Sequence, residues 1–344
     1  MEFIKKLEFG NYTLKFGNDL VLMDLLDEIV MPSFFEMNYI RSIKDKSDYF
    51  FINTEMVVLD DSEEHPVLGI QGRIVKNTVL SRDQIISGSE IIEDYDELET
   101  APSSIFLLIL NTHRLILCKE VSGAPSIENF RSTSQYCLNH RWNDYIDETY
   151  KQEKEFRDGL EYRLPRVTKK SLREEIPSPK LRITTLTDKK SLEDFINLFD
   201  KINRVSIKLL PTNKEEIDND DFFWQEFGER SENMNSRQAS VLFTNPEDGL
   251  RHNAVLSQLK ASTSLANSQF RMRGFDDAGD IMKGSNDDFS LTCDIKDLSK
   301  DINEASQECY SVFKDLVADE RIRLPKITEK GTLGKIKKIF ERFK

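Results

Sequence analysis

Arg271 and Arg273 stand two residues apart in Gln269-Phe-Arg-Met-Arg273, where apolar and polar side chains alternate. On a strand, residues two apart project from one face. The two guanidinium groups are therefore spaced to hold successive phosphates of an extended backbone, with Asn and Ser groups nearby as hydrogen-bond donors. They end a longer anomaly. From Gly249 to Phe275, 27 residues contain no Asp or Glu but include Arg251, His252, Lys260, Arg271 and Arg273, in a chain where 61 of 344 residues are acidic. The competing reading is a solvated polar strand whose arginines pair with Asp276 or Asp277. Two more basic segments can extend such a surface. One runs from Arg163 to Arg182, with Lys180 and Arg182 at its end; the other is Arg321 to Lys344, with nine basic and two acidic side chains. The second also suits a membrane surface or a protein partner.

Other chemistry is thinly represented. Gly331-Thr-Leu-Gly-Lys335 has too few residues between its glycines for a phosphate-binding loop, and neither a nucleophile elbow nor a His-Glu-x-x-His helix occurs. His113, Cys118, Cys137 and His140 have zinc-ligand residue types. However, His113 sits in a predicted hairpin turn and Cys118 lies more than roughly 10 Å along the outgoing strand, so buried thiols and surface imidazoles are the better reading. Asp60-Asp61, Glu63-Glu64 and Asp276-Asp277 are read as turns and solvated faces rather than magnesium sites. No metal and no cofactor is expected.

These residues need a scaffold, and the hydrophobic pattern supplies one. Residues 3–16 read as a hairpin turning at Gly10-Asn11. Asp19 can cap a helix through Leu22, Leu25, Leu26 and Ile29 that Pro32 stops. Strands are predicted at Tyr49–Ile52, Met56–Leu59, Val67–Val75, Ser104–Leu110 and Leu115–Lys119, the last two joined by the loop Asn111–Arg114; acidic Glu90–Glu99 reads as a solvated loop. Ser126 opens a helix to about Trp142, and Asp144–Arg157 reads as another. The prolines Pro165, Pro177 and Pro179 bracket the basic stretch and mark a domain boundary. Beyond it come a strand from Leu181, a helix at Leu192–Phe199, a strand at Val205–Leu209 and an acidic turn. A helix through Trp224 and Phe227 follows, then one at Asn253–Leu265. A hairpin from Gln269 to Lys283 turns at Asp276-Asp277-Ala278-Gly279, followed by a strand at Phe289–Asp294 and a helix at Ser299–Val317. The tail forms a short helix with Leu333, Ile336, Ile339, Phe340 and Phe343 on one side and Lys335, Lys337, Lys338, Arg342 and Lys344 on the other.

The reading is therefore α+β, with mixed or antiparallel sheets, flanking helices and a basic C-terminal amphipathic helix. It has an acidic domain at 1–162, a linker at 163–180, a second domain at 181–325 and a tail at 326–344. The longest apolar run, Ile105–Leu110, is far short of the roughly 20 residues of a membrane helix, and four scattered cysteines make no disulfide framework; a cytosolic location is expected. The net charge of −13 first argues against a phosphate-binding protein. It is unevenly placed. Residues 1–100 hold 9 basic and 21 acidic side chains, 101–210 hold 19 and 15, and 211–344 hold 20 and 25.

Gly274-Phe-Asp-Asp-Ala-Gly-Asp-Ile281, following an Arg-bearing strand, resembles the RexA phage-exclusion proteins. So do the Asn-, Glu- and Ala-rich helix Ile302-Asn-Glu-Ala-Ser-Gln-Glu-Cys309-Tyr310 and the strand Val205-Ser-Ile-Lys-Leu-Leu-Pro211. The B component of the Kiwa antiphage system is similar in outline. The likeness covers roughly residues 180–315. It implies a two-domain α+β protein, often dimeric, that binds nucleic acid with little sequence preference in bacterial antiphage defence, sometimes with a membrane-protein partner from the same operon. No catalytic residue carries over, and this chain is more acidic. The expected function is thus a non-enzymatic, DNA-binding sensor or effector using a groove lined by Arg271, Arg273, Lys260 and Arg251, helped by Lys180 and Arg182. The alternatives are a metal-dependent nuclease or nucleotide-degrading enzyme, and an adaptor that binds a partner through its acidic N-terminal domain.

Overall fold

Twelve residues near the N-terminus, Lys5–Phe16, form one strand to which segments from the whole length of the chain are hydrogen-bonded. This is seen in a computed structural model describing residues 3–35, 37–44, 46–160, 165–210, 222–236, 238–325 and 333–343. In chain order the elements are β1 (Lys5–Phe16), β2 (Leu20–Val21), α1 (Met31–Phe34), β3 (Arg41–Ile43), β4 (Ser47–Asp60), β5 (Val67–Ser87), β6 (Glu90–Thr100), β7 (Ser103–Ile109), β8 (Arg114–Lys119) and α2 (Ile127–Asp158). They continue with α3 (Lys169–Glu175), β9 (Pro179–Thr185), α4 (Lys189–Ile196), β10 (Lys201–Leu209), α5 (Phe222–Asn233), β11 (Ala239–Thr244), α6 (His252–Thr263), β12 (Ser268–Phe275), β13 (Ile281–Ser285), β14 (Thr292–Ile295), α7 (Ile302–Ala318) and α8 (Gly334–Phe340).

The fold is α+β with two antiparallel sheets. The larger runs β14-β1-β8-β7-β5-β4-β3, with β2 and β9 also on β1 and β6 on β5; the smaller runs β11-β10-β12-β13. The larger sheet is covered on both faces, which explains the unbroken apolar run Ile105–Leu110. Phe106, Leu108 and Leu110 face a core shared with α1, α2 and α8, whereas Ile105, Leu107 and Ile109 face one shared with α7. A strand buried on both sides has no polar positions to alternate.

Several elements differ from the sequence reading. Gly10-Asn11 is not a turn, because β1 runs straight through it. A Cβ at Gly10 would lie 2.8 Å from Ile183 Cγ2 of β9, so the glycine serves close approach of a neighbouring strand. The helix expected through Ile29 is instead a 3₁₀ turn at Leu22–Asp24 and a π-helical turn at Leu26–Val30, separated by Leu25; Pro32 does not end it but sits in the first turn of α1, where a missing N–H is tolerated. The two helices expected after Ser126 are one, capped by Ser126, whose hydroxyl accepts from the Asn129 N–H. Acidic Glu90–Glu99 is a strand paired with β5, not a loop. The acidic turn expected after β10 lies outside the described residues.

Pairing also runs across the boundary drawn at residue 181. β9 covers Gly10–Phe16 of β1, β14 covers Lys5–Glu8, and α8 buries Ile336, Ile339 and Phe340 in the α2 core. The Lys335 ammonium pairs with Asp24, and Arg342 pairs with Asp27 at 2.7 Å. The smaller sheet, with α4, α5 and α6, is inserted between β9 and β14. Its entering and leaving chains are joined by an antiparallel bridge, Thr187 to Ser290. No helix among the described residues is long and apolar enough to cross a membrane.

Candidate nucleic-acid interface

The smaller sheet has one dry face and one open face. Val205 and Ile207 of β10 and Phe270 and Met272 of β12 turn towards Leu192 and Ile196 of α4, Trp224 of α5, and Val255 and Leu259 of α6. Strand alternation then forces the intervening residues to the other side, where Arg204, Gln269, Arg271, Arg273 and Lys283 are exposed. Burial in β12 follows this strictly, with Gln269, Arg271 and Arg273 exposed and Phe270 and Met272 buried.

Register aligns the open-face side chains into rows. Arg204 of β10 is opposite Arg273 of β12, and Arg273 is opposite Lys283 of β13, giving three cations in a line across adjacent strands. The next row is Ser206, Arg271 and Ser285; beyond it Lys208 is opposite Gln269. Opposed side chains in such pairs have Cβ atoms about 4.5–5.5 Å apart. Thr244 and Leu242 of β11 continue the first two rows at the sheet edge. At the other end of the face, half-buried Phe275 pairs with exposed Ile281 and leaves an apolar surface beside the cations.

The cations are not neutralised locally. Among the described residues, Arg204, Arg271, Arg273 and Lys283 have neither ion pair nor side-chain hydrogen bond, and Lys208 Nζ donates only to Gln238 Oε1 at 3.1 Å. Of the two expected competitors, Asp277 makes no ion pair with either arginine and Asp276 is occupied elsewhere. Asp276 Oδ1 accepts from the backbone N–H groups of Ala278 (3.1 Å) and Asp280 (2.8 Å), which closes the β12–β13 turn. β10 is held in register at its bulge by Gly274. A Cβ there would strike the Lys201 carbonyl oxygen and come within 2.9 Å of Ile202 Cα.

The six residues singled out in the sequence are not gathered into one groove. Arg271 and Arg273 share the open face. Arg251, exposed at the start of α6, follows the Leu250–Ile202 bridge and rims the end of the sheet nearest the Arg204 row. Lys260 lies on α6, behind the sheet, and pairs with Glu193 of α4 at 2.6 Å. Lys180 and Arg182 belong to β9 in the larger sheet, opposite Lys15 and Thr13, and burial lowers the pKa of the Arg182 guanidinium. Arg163 lies outside the described residues. Conversely, Arg204, Lys208 and Lys283 were missed. For Arg204 and Lys208 the signal is the polar half of the alternation already read from Val205, Ile207 and Leu209; Lys283 lies on the second strand of the hairpin read from Gln269.

The zinc arrangement does not assemble. Cys137 packs on the α2 side of the larger sheet and Cys118 on the α7 side, so the sheet separates them. His113 is buried, contrary to the surface position expected for it, whereas His140 is exposed beside the Tyr136 and Tyr39 rings. No group of three or more His, Cys, Asp or Glu among the described residues is arranged to hold a metal ion.

Residues 166–316 match the family model of a domain of unknown function (DUF4747), a span that runs from just before α3 into the last turns of α7 and includes the whole smaller sheet. No curated protein matches the chain.

Proposed function

We propose that the open face of the smaller sheet binds the phosphate backbone of DNA without reading base sequence, and that the chain is a non-enzymatic sensor or effector in bacterial antiphage defence. The observation that carries the binding reading is the set of five cations, Arg204, Lys208, Arg271, Arg273 and Lys283, on one open face whose strand residues include no carboxylate. Neighbouring strands about 4.8 Å apart and alternate residues about 6.6 Å apart make a two-dimensional array of charge. A nucleic-acid strand can cross it with several phosphates engaged. Ser206, Ser285, Gln269 and Thr244 add hydrogen-bonding groups, and the Phe275 and Ile281 edge offers an apolar surface to a base.

The net charge of −13 does not forbid this. At physiological ionic strength, exposed charges farther apart than about 8 Å are largely screened. The phosphates therefore respond mainly to the face they touch, and the small number of cations there keeps affinity modest. Binding belongs in the non-specific range, about 10⁻⁴ to 10⁻⁶ M at physiological salt. The resemblance of residues 180–315 to phage-exclusion proteins supports the role in defence.

Fluorescence anisotropy with labelled single- and double-stranded DNA at low salt tests the reading. Four to five phosphate contacts give a log–log salt slope of about −4 on duplex. Arg271→Glu with Arg273→Glu abolishes binding, whereas Lys260→Glu, behind the sheet, leaves it unchanged. No binding at low salt, or wild-type binding by the double variant, refutes the proposal.

A further inference from the structure

Three cations meet at the neck of the inserted sheet. Lys189 begins α4, and Arg321 and Arg323 come from the segment after α7. That segment is fixed by the way α7 ends. Glu320 takes a left-handed φ of 58°, its N–H donates to the Val317 carbonyl and the Arg321 N–H to the Leu316 carbonyl, which turns the chain out of the helix. Ile322 is then buried in the core under α7, and the Arg323 carbonyl accepts from Arg114 Nη2 at 3.1 Å. The two arginines are thus held on either side of a buried anchor. With Thr187, and with Thr263 and Ser264 at the end of α6, they and Lys189 line a shallow open cleft whose recess takes about one water-sized group.

Charge is the first sign of what the cleft receives. None of its lining residues is acidic. The neighbouring Asp188 carboxylate is turned to the Lys190 and Ser191 N–H groups and to one nitrogen of Arg321. Among the described residues, the Lys189 ammonium has neither ion pair nor hydrogen bond. The positive end of the α4 dipole adds to the same field. The second sign is Thr187. This residue is only 8% exposed, and its Oγ1 is buried with no hydrogen-bond partner, a costly state for a hydroxyl. The other two hydroxyls differ: Thr263 donates to the Leu259 carbonyl at 2.7 Å and Ser264 to the Ala261 carbonyl at 3.0 Å. They shape the wall, whereas Thr187 has a proton to give.

We propose that this cleft binds the phosphate group of a small phosphorylated molecule, one oxygen seated in the recess at Thr187 and the others held by Lys189, Arg321 and Arg323. The recess has the size of a single phosphate oxygen, so the rest of the molecule lies in solvent; inorganic phosphate and a phosphate ester share the chemistry. Thr187 and Lys189 lead into the inserted sheet, while Arg321 and Arg323 follow the helix that packs on the larger one. A bound phosphate therefore ties the two sheets together. The cleft lies on the side of α4 and α6, behind the open face, so the inference is independent of the nucleic-acid reading.

Equilibrium dialysis of the full chain at fixed ionic strength, against inorganic phosphate and separately against AMP, is expected to show saturable binding. Tighter binding of AMP identifies an ester as the ligand, and binding of inorganic phosphate alone identifies the free ion; either result supports the site. Lys189→Glu weakens binding by about 10-fold or more, as loss of a charge-assisted contact does. Thr187→Val keeps the shape of the side chain and removes the unmet hydroxyl. It weakens binding by a similar factor while leaving the unliganded protein at least as stable in urea. Arg271→Glu with Arg273→Glu, on the open face, binds the anion as wild type does. Absence of saturable binding overturns the proposal. So does binding that survives both Lys189→Glu and Thr187→Val, or binding that the open-face pair abolishes, since the anion then sits elsewhere.

Discussion

Arg204 and Arg273 face each other directly across β10 and β12, with Lys283 opposite Arg273 on the next strand. Like charges in directly opposed positions destabilise a sheet, and no carboxylate on these strands relieves them. The fold therefore carries a cost that a polyanion would remove. Arg273→Thr is expected to stabilise the free protein by about 0.2–1 kcal/mol while weakening DNA binding. Urea unfolding beside anisotropy reads both signs, and a variant that is less stable than wild type contradicts this account of the face.

Gly274→Ala should act in the opposite sense. The added methyl meets backbone atoms of Lys201 and Ile202, which move only if β10 moves. A loss of about 1–3 kcal/mol is expected, the usual cost of overpacking. Because Gly274 adjoins Arg273, binding should fall as well. Thermal unfolding at unchanged stability would show that the strands are not this close.

Asp188 ties the inserted sheet to the segment after α7. Its carboxylate accepts from the N–H groups of Lys190 (3.0 Å) and Ser191 (2.8 Å) at the start of α4, and from Arg321 at 3.1 Å. Burial pushes its pKa up, but the Ser191 N–H and the Arg321 guanidinium outweigh burial and hold it below the ordinary carboxylate value. With the folded pKa depressed, its contribution is present above the unfolded value of about 3.9 and is lost as pH falls through the folded one. Asp188→Ala should therefore cost about 0.5–2 kcal/mol at neutral pH and progressively less below pH 4. A difference from wild type that stays constant down to pH 2 would rule out the charged cap.

Thiol reactivity checks the layering. Burial pushes Cys118 up to about 11 and Cys137 up to about 12, and it raises Cys309 as well. Little thiolate forms at these three positions near neutral pH. Cys293, on the edge strand β14, is only partly buried. One of the four thiols should react promptly with a disulfide reagent in the native protein, and all four in denaturant. Two or more prompt equivalents would contradict the packing.

What the sequence disclosed, and what it concealed, follows from how local each signal is. Arg271 and Arg273 were readable as a same-face pair because alternation is a property of one strand. Their partners Arg204, Lys208 and Lys283 were not, because nothing in a single strand states which strand lies beside it. Lys260 shows the converse error: it shares the acid-free window with the arginines, but helix α6 carries it behind the sheet to Glu193. Gly10-Asn11 has the composition of a turn and Glu90–Glu99 that of a loop. Both are strands because of what packs or pairs beside them, Ile183 in one case and β5 in the other. Three strands of the smaller sheet were read, but that the sheet is an insertion was not, since the two chains of its neck are about 100 residues apart and meet at Thr187 and Ser290.

The central place of β1 sets a timetable for the nascent chain. The strand is synthesised before every strand it pairs with, yet β14, which covers Lys5–Glu8, ends at Ile295. At about 5–20 residues per second, the roughly 290 residues between them take about 15–60 s to make. For that interval one edge of the strand stands open to other chains. Lys5 and Lys6 occupy that edge, and charged lysines are what discourages stray strand pairing. Once β14 arrives, Lys5 Nζ donates to the Leu298 carbonyl at 3.3 Å and Lys6 pairs with Asp294 at 3.7 Å. The two side chains suited to guarding the unfinished sheet thus become contacts that fasten the finished one.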